Sequence, residues 1–193
     1  MRAHAPTRPD PRLSVVVALA LLAGGCGYRS LVGPGLDAEG LAREPVRLTV
    51  MALRNDSPEP WLDRIVNDAL RREMTTRAGL RVVDDPGGAE LVLRGRIRPV
   101  NIRSQSFSSF VAALEFSLTL QLDLEIVRGE GDVVRLDPTM LAATDVYLAS
   151  ADVEVTRTNR LELLRRLSDV LATRVADALE LMERPIVDPE TGG

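Results

Sequence analysis

The sequence predicts an α+β fold, a two-layer sandwich in which two amphipathic helices pack on one face of a mixed, mostly antiparallel sheet. Three observations lead to this prediction. One long segment alternates apolar and polar residues strictly, two segments carry apolar residues at helical spacing, and the elements follow the order strand, helix, strand meander, helix. A sheet with one apolar face and two helices with apolar stripes bury these surfaces most simply against each other.

The first two elements are a strand and a helix. Residues 46–53 alternate apolar and mixed side chains, which is typical of a strand. Ser57 is predicted to cap the following helix, with Pro58 in its first turn, and Gly79 to end it. The helix is indicated by apolar residues on one stripe, namely Leu62, Ile65, Val66, Ala69, Leu70 and Met74. Trp61 at its start is interpreted as a lid over the core rather than as a platform for a ligand.

The next segments predict an antiparallel hairpin after a short strand at 80–83. In residues 89–104 the two faces of a strand differ: Leu91, Leu93 and Ile97 point to one side, and Arg94, Arg96 and Arg98 to the other. Pro99 predicts a bulge or an edge position. Residues 114–126 alternate throughout, which predicts a long strand with one buried and one wet face. The expected register places residue 94 opposite 123, 96 opposite 121 and 98 opposite 119, so that the arginines meet acidic or polar partners.

The chain ends with a further strand and a long helix. Residues 133–149 predict a strand that Pro138 disturbs, and Asn159 with Glu162 resembles a capping box. The apolar stripe of the helix consists of Leu161, Leu164, Leu167, Leu171, Val175, Leu179 and Met182, and the helix ends near Pro185. The helical connection after the first strand predicts that this strand has a parallel neighbour. One domain at 46–184 and a flexible tail at 185–193 are therefore expected.

The N-terminal segment has the layout of a lipoprotein signal peptide. Arginines precede an apolar run at 13–23, which is shorter than the roughly 20 residues that cross a bilayer, and small residues follow it. The only cysteine, Cys26, comes next, and residues 22–26 resemble the lipobox whose cysteine is acylated in bacterial lipoproteins. We therefore predict a signal peptide at 1–25, lipidation of Cys26 and a lipid-anchored tether at 26–45.

The same segment bears on the state of Cys26 and on the location of the chain. The alternative interpretation is a plain signal peptide that leaves Cys26 as an unpaired thiol. Gly27 stands at the position where an aspartate retains many lipoproteins at the inner membrane, so the predicted location is the outer membrane, to which the acylated cysteine would anchor the chain.

Composition excludes several classes of function. The chain holds 24 basic and 28 acidic residues, and the predicted signal peptide removes three arginines and one aspartate, which leaves a net charge near −6 that does not suit nucleic-acid binding. The only histidine, His4, is removed as well, and Cys26 is predicted to be acylated. Histidine-dependent triads, thiolate nucleophiles and the usual zinc sites then lack their groups. We expect no metal, no cofactor and no enzymatic activity, and a carboxylate-dependent hydrolase is the one catalytic possibility that stays open.

Taken in order, these parts resemble the LptE family of lipopolysaccharide-assembly lipoproteins. The resemblance is carried by residues 26–28, 54–77 and 89–97, by the long alternating strand, and by the closing helix at 159–179. It implies a two-layer sandwich in the outer membrane that plugs the lumen of the large barrel LptD and helps to deliver lipopolysaccharide to the outer leaflet. The alternative is a structural or regulatory lipoprotein of another periplasmic machine, such as a secretion pore or a cell-wall synthase activator, and the co-purifying partner would separate the two.

Two groups of residues are candidate contact sites. Arg94, Arg96, Arg98 and Arg103 either pair across strands with Glu115, Asp123 or Glu125, or bind the phosphates of lipopolysaccharide, Arg98 and Arg103 above all. All 24 basic residues are arginine, which reflects either a GC-rich genome or phosphate recognition. Phe107 and Phe110 lie in an otherwise polar loop, where they either cover the end of the sheet or contact a partner or a lipid.

Overall fold

The structure is a computed structural model that describes residues 44–105, 115–129 and 131–183. The strands are β1 (Val46–Val50), β2 (Arg54–Asn55), β3 (Leu80–Val82), β4 (Leu91–Ile97), β5 (Asn101–Ser104), β6 (Glu115–Arg128), β7 (Asp132–Arg135) and β8 (Ala142–Leu148). The α-helices are α1 (Leu62–Thr76) and α2 (Val153–Glu183), and Pro86–Gly88 form a short 3₁₀ helix. Within the described residues, no helix is long and apolar enough to cross a membrane.

All eight strands belong to one mixed sheet with β6 at its centre. The strands β4 and β5 pair antiparallel with one edge of β6, and β7 and β8 pair antiparallel with its other edge. The strand β1 pairs parallel with both β3 and β4, and β2 pairs parallel with β4. The predicted mixed sheet and the predicted parallel neighbour of the first strand are therefore confirmed.

The core lies between one face of this sheet and the two helices. Every second residue of β6 from Leu118 to Ile126 is at most 3 % exposed, while the intervening polar residues are half-buried. The buried residues of α1 are Leu62, Val66, Ala69, Leu70 and Met74. The buried apolar residues of α2 are Leu163, Leu164, Leu167, Leu171, Ala172, Val175, Ala176 and Leu179. Both helices thus cover the same face, and the predicted two-layer α+β sandwich is confirmed.

The first helix begins at Leu62, so the predicted cap at Ser57 is wrong. The hydroxyl of Ser57 is engaged within the preceding turn, where it donates to Asn55 Oδ1 at 2.7 Å and accepts from the Glu59 backbone N–H at 3.3 Å. A serine that bonds its own local backbone favours a turn over a helix. This turn delays the start of the helix and leaves Trp61 at its N-terminal flank, where 61 % of the residue is exposed. The predicted lid over the core is therefore wrong.

The end of α1 also differs from its prediction, because the helix stops at Thr76, before Gly79. The Arg77 backbone N–H closes the last turn on Met74 O at 3.3 Å. The Arg77 side chain is mostly buried and lies 2.6 Å from Glu73, 2.9 Å from Asp177 and 3.4 Å from Glu180. The hydrogen bond with Glu73 contributes most to raising the pKa of Arg77. This ion-pair cluster ties the end of α1 to α2.

The second helix begins six residues before the predicted capping box. Asp152 caps it, because its Oδ1 accepts from the Glu154 backbone N–H at 2.8 Å. Asn159 lies inside the helix and donates to Leu148 O at the end of β8 at 2.8 Å. The capping-box prediction is therefore wrong, although the apolar stripe is confirmed, and the predicted end near Pro185 lies outside the described residues.

The pairing of β4 with β6 is antiparallel as predicted, but the register is shifted by two residues. Arg94 lies opposite Glu125 and Arg96 opposite Asp123. A shift of two keeps every side chain on its predicted face, and here it gives both arginines a carboxylate neighbour. Ile97 and Asn101 are four residues apart, while their partners on β6, at 122 and 119, are only three residues apart. The extra residue forms a bulge, so the bulge predicted at Pro99 is confirmed.

The segment predicted as one disturbed strand forms two, β7 and β8, on the same edge of β6. The connection between them contains Pro138 and a turn that Asp137 holds. Its Oδ1 accepts from the backbone N–H and from the hydroxyl of Thr139, both at 2.8 Å, and these bonds lower the pKa of Asp137.

Candidate functional site

The face of the sheet away from the helices carries a band of cations and carboxylates. Arg54 of β2, the arginines of β4, the polar residues of β6 from Thr119 to Glu125 and Arg135 of β7 lie on this face because they alternate with the core residues. The band consists of Arg54, Asp56, Arg94, Arg96, Arg98, Asp123, Glu125 and Arg135, and we call these eight residues the arginine band. Five arginines against three carboxylates leave an excess of two positive charges in a chain whose net charge is negative.

One half of the band is built around two aspartates. Arg54 makes a bidentate contact with Asp56, with Nε to Oδ1 at 2.7 Å and Nη2 to Oδ2 at 2.9 Å. Arg96 reaches Asp123 at 3.0 Å and Asp56 at 3.8 Å. Arg98 also approaches Asp123, at 3.7 Å. Cations and anions thus alternate along this half, which fixes the orientation of the guanidinium groups.

The other half is built around Glu125. Arg94 donates to its Oε1 at 2.6 Å, and Arg135 lies 3.9 Å from its Oε2. The Arg135 side chain is 87 % exposed, so its guanidinium is held loosely at the edge of the band. An arginine in this position can turn towards an incoming anion at small cost.

The electrostatics of the band favour the ionised form of Asp56. A hydrogen bond from Arg54 contributes most to lowering the pKa of Asp56, and the charges of Arg54 and Arg96 lower it further. The same contact raises the pKa of Arg54. The pairs of Arg94 with Glu125 and of Arg96 with Asp123 are half-exposed, and exposed pairs contribute about 0.2–1 kcal/mol each to stability. The ion pairs of the band therefore contribute little to the stability of the fold.

An open trough of about 640 Å³ runs along the band. Its lining includes Arg54, Arg96, Arg98 and Arg135, and Gly95 lies among them on β4. Guanidinium groups bind phosphate oxygens as bidentate forks, and their hydrogen bonds to an anion are stronger than those between neutral groups. The trough can therefore hold an anionic group such as a phosphate between arginines from different strands.

The structure brings together three of the four arginines named from the sequence, Arg94, Arg96 and Arg98, and gives each a carboxylate neighbour. Arg103 lies beyond the bulge, on β5 opposite Ser117, and makes no ion pair with another described residue. Cys26, Phe107 and Phe110 lie outside the described residues.

Sequence reasoning missed three members of the band, Arg54, Asp56 and Arg135. Arg135 could have been found, because the pairing of Arg128 with Asp132, continued away from the predicted turn, places Arg135 opposite Glu125. Arg54 and Asp56 could not, because their position depends on the parallel pairing of β2 with β4, which no local pattern reveals. In the part of the chain that the structure describes, no group of three or more histidine, cysteine or acidic residues is arranged to hold a metal ion.

Comparisons with known proteins give one family match and several distant structural likenesses. Among solved structures, a minor lipoprotein from Acinetobacter baumannii is 19% identical, with 72% of this chain and 95% of that chain covered and a TM-score of 0.45. The rare lipoprotein B from Shewanella oneidensis is 15% identical, with coverages of 71% and 96% and a TM-score of 0.42. Lipoprotein B from Nitrosomonas europaea is 13% identical, with coverages of 72% and 84% and a TM-score of 0.46.

No curated protein sequence matches the chain significantly. The LptE family model, described as lipopolysaccharide-assembly, matches residues 46–179. This match begins at the first residue of β1 and ends within α2, so it covers more than half of the chain and spans the sheet and both helices. The chain therefore belongs to the LptE family of lipopolysaccharide-assembly proteins.

Proposed function

We propose that the chain is an outer-membrane lipoprotein that plugs an LptD-like barrel and helps to deliver lipopolysaccharide to the outer leaflet. The observation that carries this proposal is the family match over residues 46–179. The resemblance of the N-terminal segment to a lipoprotein signal supports it independently, because that segment lies outside the matched residues.

The arginine band supplies the proposed contact with lipopolysaccharide. The phosphates of lipopolysaccharide are negatively charged. The arginine band has an excess of two positive charges and would attract them. Arg98 and Arg135 are the arginines with the longest carboxylate contacts on the trough lining, 3.7 Å and 3.9 Å, so they lose least when they turn towards a phosphate. Arg103 would extend the same contact beyond the bulge.

The protein is further proposed to act without catalysis. A carboxylate-dependent hydrolase needs one carboxyl group whose pKa is raised, so that it can donate a proton. In the trough the opposite holds for Asp56, because the neighbouring arginines lower its pKa. This environment suits binding of an anion better than general acid catalysis.

The function is tested by purifying the tagged full-length chain from detergent-solubilised outer membranes. An LptD-like barrel is expected to co-purify in a fixed ratio, and a tagged outer-membrane lipoprotein of another fold serves as the control. Recovery of a peptidoglycan synthase or an export pore in place of the barrel would contradict the proposal and favour a lipoprotein of another periplasmic machine.

The membrane anchor gives the first specific prediction. Replacement of Cys26 by alanine is expected to release the chain from the membrane or to leave it as unprocessed precursor, because the thiol that carries the lipid is lost. Mass spectrometry of the unchanged protein extracted from membranes should find an acylated cysteine as the first residue. A free thiol, or a mature chain that begins elsewhere, would refute lipidation at this position.

The arginine band gives the second prediction. The double substitution Arg98→Glu with Arg135→Glu should weaken lipopolysaccharide binding at least a hundredfold, because each hydrogen bond to a charged group contributes about 1.5–3 kcal/mol, or roughly tenfold to a hundredfold in affinity. The melting temperature should fall only slightly, because both arginines make only long contacts, although glutamate at 135 would face Glu125 and glutamate at 98 would lie near Asp123. Binding is measured by calorimetry and folding by circular dichroism.

Two matched variants complete this experiment. Arg157→Glu alters an arginine on α2 that is 63 % exposed and makes one contact of 3.8 Å, so it should leave binding unchanged. Arg103→Glu should weaken lipopolysaccharide binding if the site continues past the bulge. If the double variant melts at a lower temperature but binds normally, the band is only structural.

A further inference from the structure

The outer edge of strand β8 is a free edge of the sheet. Its inner edge pairs with β6, and none of the described strands pairs with the outer one. The other described strands with a free edge are β2, β3, β5 and β7, which have two to four residues each, whereas β8 has seven. A free edge presents unpaired backbone groups to which a strand of another molecule can add, and short edge strands reduce this hazard. The hazard is therefore greatest at β8.

The backbone groups of the even-numbered residues point to this outer edge. The Leu122 N–H donates to Leu141 O at 2.9 Å, so the odd-numbered residues of this segment turn their N–H and C=O groups towards β6. The direction alternates along a strand, and the even-numbered residues therefore turn theirs outward. These residues are Ala142, Thr144, Val146 and Leu148.

Side chains of α2 bond carbonyl groups of this row. Arg174 Nη1 donates to Ala142 O at 2.7 Å, and also to Met140 O, just before the strand, at 3.1 Å. Asn159 Nδ2 donates to Leu148 O at the other end of the strand, at 2.8 Å. The two donors are about 22 Å apart along a helix, and a strand from Ala142 to Leu148 is about 20 Å long. The helix therefore runs beside the whole outer edge.

Asp145 closes the middle of the edge. Its Oδ1 accepts from the outward N–H of Val146 at 2.7 Å, and Arg166 of α2 donates to its Oδ2 at 2.7 Å. Asp145 lies opposite Leu118 of β6, and so on the core side of the sheet, where its neighbours along β8 are buried. A charged residue that points inward on an edge strand is one of the devices that prevent another strand from adding.

The strength of these bonds does not account for them. The side chains of Asp145 and Arg166 are 44 % and 63 % exposed, and exposed ion pairs contribute little to stability. Without the bonds, the edge would suit another strand, since Val146 and Leu148 are 41 % and 60 % exposed and such side chains favour strand pairing. The position of the bonds along the edge explains them better than their strength does.

We propose that α2 closes the β8 edge against the addition of a strand, and that the strand it excludes is β8 of a second copy of this chain. The edge is self-complementary. In an antiparallel pair centred on Thr144, Ala142 of each copy lies opposite Val146 of the other, so the outward groups of the two strands meet around a two-fold axis. This inference does not depend on the proposed function, because it concerns only the association of the chain with itself.

The test compares two double variants of the full-length chain by sedimentation in density-matched detergent. Asp145→Val with Arg174→Met removes bonds from the edge, and its dimer should have a dissociation constant at least tenfold below that of the unchanged chain, which should sediment as a monomer. The matched control is Asp84→Val with Arg71→Met. Arg71 also pairs with an aspartate, at 2.8 Å, and donates to a strand carbonyl, Val50 O, at 3.0 Å, but β1 is paired on both edges. The control should stay monomeric.

A folded but monomeric edge variant would overturn the inference, and so would a dimer of the unchanged chain or of the control. Should the edge variant fail to fold by circular dichroism, Arg174→Met alone, which leaves β8 unaltered, must dimerise more tightly than the unchanged chain.

Cysteine substitution locates the contact. Thr144→Cys in the edge variant should give a disulfide-linked dimer on oxidation, because residues paired across a two-fold axis have Cα atoms about 5.5 Å apart. Val133→Cys, on β7 and 43 % exposed, should stay unlinked. Linkage at 133 instead of 144 would show that the dimer forms through another edge, which would also overturn the inference.

Discussion

Replacement of Leu120 by alanine is expected to lower the free energy of unfolding by about 2–5 kcal/mol, the range for truncation of a buried leucine. Leu120 is fully buried on the central strand β6, opposite Ala143 of β8. Loss of its branched end leaves a cavity in the layer between sheet and helices, which neighbouring side chains fill only in part. Urea unfolding of the isolated domain, followed by circular dichroism, measures the change.

The matched variant is Gln121→Ala, one residue further along the same strand and on its other face. Its side chain is half-buried and makes one long hydrogen bond, from Nε2 to Pro138 O at 3.5 Å. A cost below about 1 kcal/mol is expected, as for most surface substitutions. Equal costs for the two variants would show that both faces of the sheet are covered, which would contradict the two-layer arrangement.

Replacement of Gly95 by alanine is expected to cost about 3 kcal/mol, at the upper end for an inserted methyl group in a packed site. A Cβ at this position would lie 2.1 Å from Asp123 O and 3.0 Å from Leu124 Cα, which are backbone atoms of the paired strand β6. The two strands must separate to admit it. Because Asp123 belongs to the arginine band, the same substitution should weaken lipopolysaccharide binding.

The control for this substitution is Gly79→Ala. An added Cβ at Gly79 meets nothing within 4 Å, and the residue has no positive φ. The free energy of unfolding of the Gly79→Ala variant should be unchanged or slightly higher, because alanine restricts the unfolded chain more than glycine does. If Gly95→Ala loses no more stability than Gly79→Ala, the close approach of β4 to β6 does not constrain residue 95.

Much of the fold could be predicted because its signals are repeated along the chain. The alternation in β6 and the apolar stripes of α1 and α2 each involve many residues. Because all of these apolar residues must be buried, they all indicate the same core-facing side of their element. The starts of the helices depend instead on single hydrogen bonds. Ser57 and Asn159 have the right chemistry for caps, but Ser57 bonds within the preceding turn and Asn159 bonds Leu148 O at the end of β8.

In the candidate sites, too, features that follow from a repeated pattern could be predicted, and features that depend on single tertiary contacts could not. The face on which Arg94 and Arg96 lie follows from a period of two, which survives a register shift of two residues. The joining of Arg54 and Asp56 to them depends on tertiary pairing of β2 with β4, and the closure of the β8 edge depends on side chains that α2 places beside it. Contacts between distant segments of this kind leave no periodic signal in a single sequence.

Lipopolysaccharide in the outer leaflet, measured in living cells while the chain is depleted, tests the assembly role most directly. The level at the cell surface is expected to fall as the chain is lost, together with the amount of folded LptD-like barrel, and expression of the unchanged chain should restore both. Unchanged lipopolysaccharide at the cell surface after full depletion would contradict a role in its assembly.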